Sequence, residues 1–198
     1  MVITYYGAFC FKIQSGDTVL AFNPPSKKSS FKAPRFQSDI VLISSNQEDC
    51  NGFENIAGKE QGGEPFLING PGEYEVNKVI IRGISEPYLN TIYRFVFDNI
   101  VFCHLGDFDK KEIGSEAMEF IGDVDVLFAP ANPNITKVIN QIGPKVIISM
   151  SKEEKDLIGF LKDVGVDKTN SLDKFSFKKK DIADKKGEVT VLKPMINI

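Results

Sequence analysis

The hydrophobic pattern of this chain changes period once. As far as Cys103 the apolar residues fall in short β-type runs divided by turns, at 2–6, 9–14, 18–22, 40–43, 66–68, 79–83, 91–97 and 100–103. Beyond Asp107 a 3.6-residue period appears, predicting helices near 115–121, 134–142 and 152–164, and apolar runs at 126–128 and 146–150 alternate with them as strands. Strand-like segments at 174–178 and 188–192 close the chain. Gly16-Asp17 and Asp98-Asn99 stand where two-residue hairpin turns belong, so the early sheet is expected to be antiparallel. Strands first, then helices alternating with strands, predict a layered α/β protein with two sheets between helices, an αββα sandwich. With 198 residues, 42% of them hydrophobic, and no linker or low-complexity segment, residues 1–198 are expected to form a single domain.

Charge and cysteine usage narrow the possible partners. A net charge of −3 provides no field for drawing in nucleic acid or anionic membrane, and the lysines at 178–180, 185 and 186 are interleaved with Asp181, Asp184 and Glu188. Nucleic acid and membrane are therefore not expected as partners. Three cysteines without a CxxC pair fit neither a disulfide framework nor a zinc knuckle. The opening residues lack the basic start and apolar core of a signal peptide, and no stretch approaches a transmembrane span, so a cytoplasmic location is expected. Pro24-Pro25 ends the third strand, and the loop that follows to Gln37 is expected to be mobile.

Polar residues gather at three strand ends. The first is 41–52, where an apolar run turns abruptly into Ser45, Asn46, Gln47, Glu48, Asp49 and Cys50, at the carboxyl end of a strand, where α/β proteins place their chemistry. The second, Cys103-His104-Leu105-Gly106-Asp107, holds the only histidine. A lone histidine beside an apolar strand reads first as hydrogen-bonded structure, because acid–base work needs an orienting partner; Asp107 is either that partner or a turn-forming aspartate. The third is Ser149-Met150-Ser151, where Ser151 with Glu154 matches a capping box, and no GxSxG elbow marks a nucleophile.

Together these segments resemble the metallo-β-lactamase fold superfamily, and within it the ascorbate-6-phosphate-lactonase-like branch of predicted zinc-dependent hydrolases. The branch's Gly-His-Ser-Cys-Phe opening is answered by Gly7-Ala8-Phe9-Cys10-Phe11, and its Ile-Asp-Pro by Phe22-Asn23-Pro24. The Thr-His-x-His-x-Asp-His signature falls on residues 44–50. Gly70-Pro71-Gly72-Glu73-Tyr74-Glu75-Val76, Asn90-Thr91-Ile92-Tyr93 and His104-Leu105-Gly106-Asp107 are close matches. A late metal-binding histidine falls on Ser151, and another near Pro87 or Tyr88.

The resemblance implies the four-layer metallo-β-lactamase-like fold and, in ordinary members, one or two metal ions that activate water. Here the ligand positions carry Ser45, Gln47, Asp49, Cys50, Asp107 and Ser151, from which a conventional dinuclear zinc site cannot be assembled. The first expectation is a non-catalytic descendant of a hydrolase, kept for binding or assembly. Those six residues would line the old cleft; no metal or cofactor is expected, and the partner is a small polar molecule, a protein or a second copy of the chain. The alternative is a lactonase- or phosphodiesterase-type hydrolase. It would use an atypical divalent metal on Asp49, Asp107 and Cys50, or metal-free chemistry at Cys50 or His104, with Asp49, His104 and Asp107 as catalytic candidates.

Overall fold

Side-chain alternation decides which face of each strand is buried. The computed structural model, which describes residues 1–86, 90–166 and 170–195, shows the outcome. In chain order the strands are β1 (Val2–Gly7), β2 (Cys10–Ser15), β3 (Thr18–Phe22), β4 (Gln37–Ser38), β5 (Ile40–Ile43), β6 (Ala57–Gly58), β7 (Phe66–Asn69) and β8 (Gly72–Val76). They continue with β9 (Val79–Glu86), β10 (Asn90–Phe97), β11 (Ile100–His104), β12 (Val126–Pro130), β13 (Val146–Met150), β14 (Phe175–Ser176) and β15 (Glu188–Thr190). The α-helices are α1 (Ser115–Ile121), α2 (Ile135–Ile142) and α3 (Glu154–Asp163).

Two sheets carry the fold, with strand orders β14-β1-β2-β3-β5-β7 and β15-β13-β12-β11-β10-β9-β8. Each combines antiparallel hairpins with a parallel part, β3-β5-β7 in the first and β11-β12-β13-β15 in the second. The Asp98-Asn99 turn takes positive φ at both residues, 54° and 60°, as a tight hairpin of right-twisted strands requires. Asn77-Lys78 does the same between β8 and β9, a hairpin that the missing glycine hides from sequence inspection.

The inter-sheet core follows the alternation. Ile40 and Leu42 of β5 face inward with Phe11, Phe22, Phe95, Phe102 and Phe128, whereas Val41 and Ile43 face outward with Ile56. On the outer face of the second sheet, Cys103, Leu105, Leu127 and Ile147 meet the apolar stripes of the three helices. Burial of Ile135, Val138, Ile139 and Ile142, roughly 1.5–3 kcal/mol each, holds α2 in place; so short a helix is not stable alone in water. On the outer face of the first sheet Ala21, Val41 and Ile43 pack with Ile56 and with the partly buried Phe36 and Leu67. Among the described residues no helix is long and apolar enough to cross a membrane.

Two expectations are corrected. Ser151 does not cap α3: the helix begins at Glu154, with Glu153 in the cap position and no side-chain cap. The Tyr5 hydroxyl instead holds residue 151 outside the helix, accepting from its N–H at 3.2 Å and lying 2.8 Å from its carbonyl oxygen. The loop after Pro25 is fastened to the 44–52 loop by Ser26 N to the Glu48 carbonyl (2.8 Å), Gly52 N to the Pro24 carbonyl (2.8 Å) and Ser29 Oγ to Asp49 (2.7 Å).

Candidate functional site

At the end of β5 the chain is set by Asn23, a fully buried residue with φ of 43°. Its Oδ1 accepts from Ser44 N at 2.8 Å, its Nδ2 donates to Ser44 Oγ at 2.9 Å, and its own N–H donates to the Leu42 carbonyl at 2.9 Å. Asn23 thereby turns the chain out of the strand. The loop then closes on itself through Cys50 N and Asn51 N, both donating to the Gln47 carbonyl. Gly52 must be glycine, because a Cβ there would lie 2.2 Å from the Pro25 carbonyl oxygen. In this geometry Ser45 and Cys50 are buried, Gln47 is exposed, and Asp49 lies at the rim, half-buried.

Both carboxylate oxygens of Asp49 are engaged. Oδ1 accepts from Ser29 Oγ at 2.7 Å, and Oδ2 pairs with Lys152 Nζ at 2.9 Å. Burial alone would raise the Asp49 carboxyl, but the Lys152 and Ser29 hydrogen bonds outweigh it and hold the group below its ordinary range. Burial alone would lower Lys152, but the hydrogen bond to Asp49 and the charges of Asp49 and Asp107 keep it above its ordinary value. The ammonium also lies 5.2 Å from the centre of the Phe9 ring, within cation–π range.

His104 points the other way, into the inter-sheet core. It is fully buried, stacked on Phe22 at 5.0 Å with 14° between the planes, and Phe11 and Phe128 close round it. Gly106 N donates to Nδ1 at 3.1 Å, which puts the proton of the neutral ring on Nε2. Nε2 itself has no hydrogen bond of normal geometry. Burial pushes the imidazole down to about 3, opposed only by the nearby Phe9 backbone. Asp107 is not its orienting partner. The loop is instead braced by Asn90, whose Nδ2 donates to the Leu105 carbonyl at 2.8 Å and whose Oδ1 accepts from Asp107 N at 3.1 Å. A Cβ on Gly106, at φ of 63°, would fall 2.0 Å from Asn90 Oδ1.

Strand topology thus brings Ser45, Asp49, Cys50, Asp107 and Ser151 to one end of the two sheets and leaves His104 beneath them. The donor set does not fit a zinc centre. It offers no imidazole, and both Asp49 oxygens are engaged by Ser29 and Lys152. Among the described residues no three His, Cys, Asp or Glu side chains are grouped so as to hold a metal ion. Pro87 and Tyr88, near which the resemblance would set a further histidine, lie outside the described residues. Cys50 and His104 are both fully buried.

Sequence inspection passed over Lys152, Ser29 and Tyr5. The one available signal was charge: a partly buried carboxylate such as Asp49 favours a cation from elsewhere in the chain.

Residues 2–151 match the family model described as the beta-lactamase superfamily domain. No curated protein matches the sequence. Solved structures of the same fold include a predicted Zn-dependent hydrolase of the metallo-β-lactamase superfamily from Thermotoga maritima, 24% identical, with a TM-score of 0.78 over 96% of this chain and 97% of that one. A predicted metal-dependent hydrolase from Parabacteroides distasonis is 15% identical, with a TM-score of 0.61 over 96% and 93%. Igni18, a metallo hydrolase from Ignicoccus hospitalis, is 19% identical, with a TM-score of 0.55 over 89% and 99%. At these identities the likeness shows the fold alone. The family match runs from β1 to Ser151 and takes in all three strand-end loops, and on that ground the chain belongs to the beta-lactamase superfamily, with the metallo-β-lactamase fold.

Proposed function

We propose that this protein is a non-catalytic member of its superfamily, retained for binding or assembly, with the former metal cleft offering hydrogen bonds to a small polar partner. The observation that carries this reading is the fate of imidazole. Ser45, Gln47, Cys50 and Ser151 stand where the resemblance implies metal-binding histidines, and the only histidine of the chain is enclosed among Phe11, Phe22 and Phe128. A hydrolase of this kind needs a metal-activated water, and among the described residues no three His, Cys, Asp or Glu side chains are grouped to hold a metal ion. The free, buried thiols of Cys10, Cys50 and Cys103 are compatible with a reducing compartment and support a cytoplasmic setting.

Hydrolysis assays with lactone and phosphodiester substrates, run on the full chain and on Asp49→Ala, test this. The expected result is no turnover above buffer in either protein. Turnover that is present in the unaltered chain and lost in Asp49→Ala would establish the hydrolase alternative.

A further inference from the structure

The metal expected of the superfamily and the residues of this cleft disagree, and the disagreement has a resolution inside the chain. We propose that the Lys152 ammonium takes the place of the metal ion, as a built-in cation that neutralises the Asp49 carboxylate and fastens the β5 loop to the end of β13. The inference deepens the non-catalytic reading and rests on it.

Three observations converge on Lys152. Its Nζ lies 2.9 Å from Asp49 Oδ2, so the cation is paired with the one carboxylate that the 44–50 loop keeps at a metal-ligand position. It leaves the fold from the same strand end that would deliver the late metal ligand: β13 ends at Met150, Ser151 takes the histidine position, and Lys152 follows. The departure is fixed, because the Tyr5 hydroxyl holds both backbone groups of Ser151. Asp49 is also steadied from the opposite side by Ser29 Oγ, so the carboxylate presents one oxygen to each loop. A carboxylate at a half-buried site without a counter-charge loses hydration uncompensated; a cation supplied by the chain removes that penalty with no ion to bind. A lysine suits the position because its ammonium is compact and carries several donors on a flexible stem.

Thermal and urea unfolding of the full chain and four variants, each with and without MnCl₂, test the assignment. Lys152→Met is expected to raise the unfolding equilibrium constant about tenfold, given that both partners are partly exposed. Lys152→Arg is expected to retain most of the stability. Asp49→Asn/Lys152→Met should cost less than the sum of Asp49→Asn and Lys152→Met. If Lys152→Met alone does not fold, recovery of folding in the double variant supports the proposal equally. Mn²⁺ should raise the Tm of Lys152→Met, whose Asp49 carboxylate is left uncompensated, and leave the unaltered chain and the double variant unmoved. Additive single substitutions together with no Mn²⁺ response in Lys152→Met would overturn the Lys152 assignment while leaving the non-catalytic reading intact. An unaltered chain that Mn²⁺ itself stabilises would overturn both.

Discussion

An imidazole enclosed by three phenylalanine rings can take a proton only by bringing a charge into the inter-sheet core, and burial accordingly holds His104 at about 3 against its usual 6.5. Because the folded value is depressed, the unfolded chain binds a proton between these two values that the folded chain does not. Stability is therefore full above about pH 6.5 and falls as the pH drops toward 3, by about 1.4 kcal/mol per pH unit from this group. Urea unfolding of the unaltered chain and of His104→Phe at pH 7, 5.5 and 4.5 checks this. The difference between the two proteins should shrink steadily with acidification, because the variant has nothing to protonate there; a constant difference would mean that the ring titrates near its usual value. A histidine next to an apolar strand reads first as hydrogen-bonded structure, and in the fold Gly106 N donates to its Nδ1. The reading of Asp107 as a turn-region residue fits the brace from Asn90, which nothing in local sequence announces.

Between the sheets the decisive contacts are made by single polar atoms at element ends. The Tyr93 hydroxyl of β10 lies 2.8 Å from the Ile43 carbonyl at the end of β5 and accepts from Gly70 N at 2.9 Å, joining the second sheet to the β5 and β7 ends of the first. Thr91 N adds a backbone bond of 2.7 Å to the Ser44 carbonyl. Tyr93→Phe keeps the ring in the core but leaves these groups unpaired, so a loss of about 1–2 kcal/mol is expected in urea unfolding. A change below a few tenths of a kcal/mol would mean that water replaces the hydroxyl at no cost. The strands themselves were readable because inward and outward positions alternate, as Ile40 and Leu42 against Val41 and Ile43 illustrate. Contacts that decide boundaries were less so. The Ser151–Glu154 pattern matches a capping box, yet Tyr5, from the other end of the chain, claims the Ser151 backbone and delays the helix to Glu154. The loop after Pro25 looks free by composition, but Ser26 and Ser29 tie it to the 44–52 loop.

At the scale of the whole molecule, the superfamily fold is present, and Ser45, Gln47, Cys50 and Ser151 stand where the resemblance implies metal-binding histidines. Fold and cleft position were legible because both rest on framework residues: Gly52 and Gly106, which have no room for a Cβ, and Asn23 and Asn90, which shape the strand ends. What the cleft contains was legible only as a loss. Lys152 and Asp49 are far apart in sequence and share no spacing rule; only the convergence of β5 and β13 at one end of the two sheets brings them together. The most direct measurement is elemental analysis of the full chain purified without chelator, with zinc, iron and manganese determined per chain. The expected result is metal far below one equivalent and a Tm unchanged by a chelator. One equivalent or more of any of the three, lost together with stability on chelation and absent from Asp49→Ala, would contradict the reading of this site as one that has dispensed with its metal.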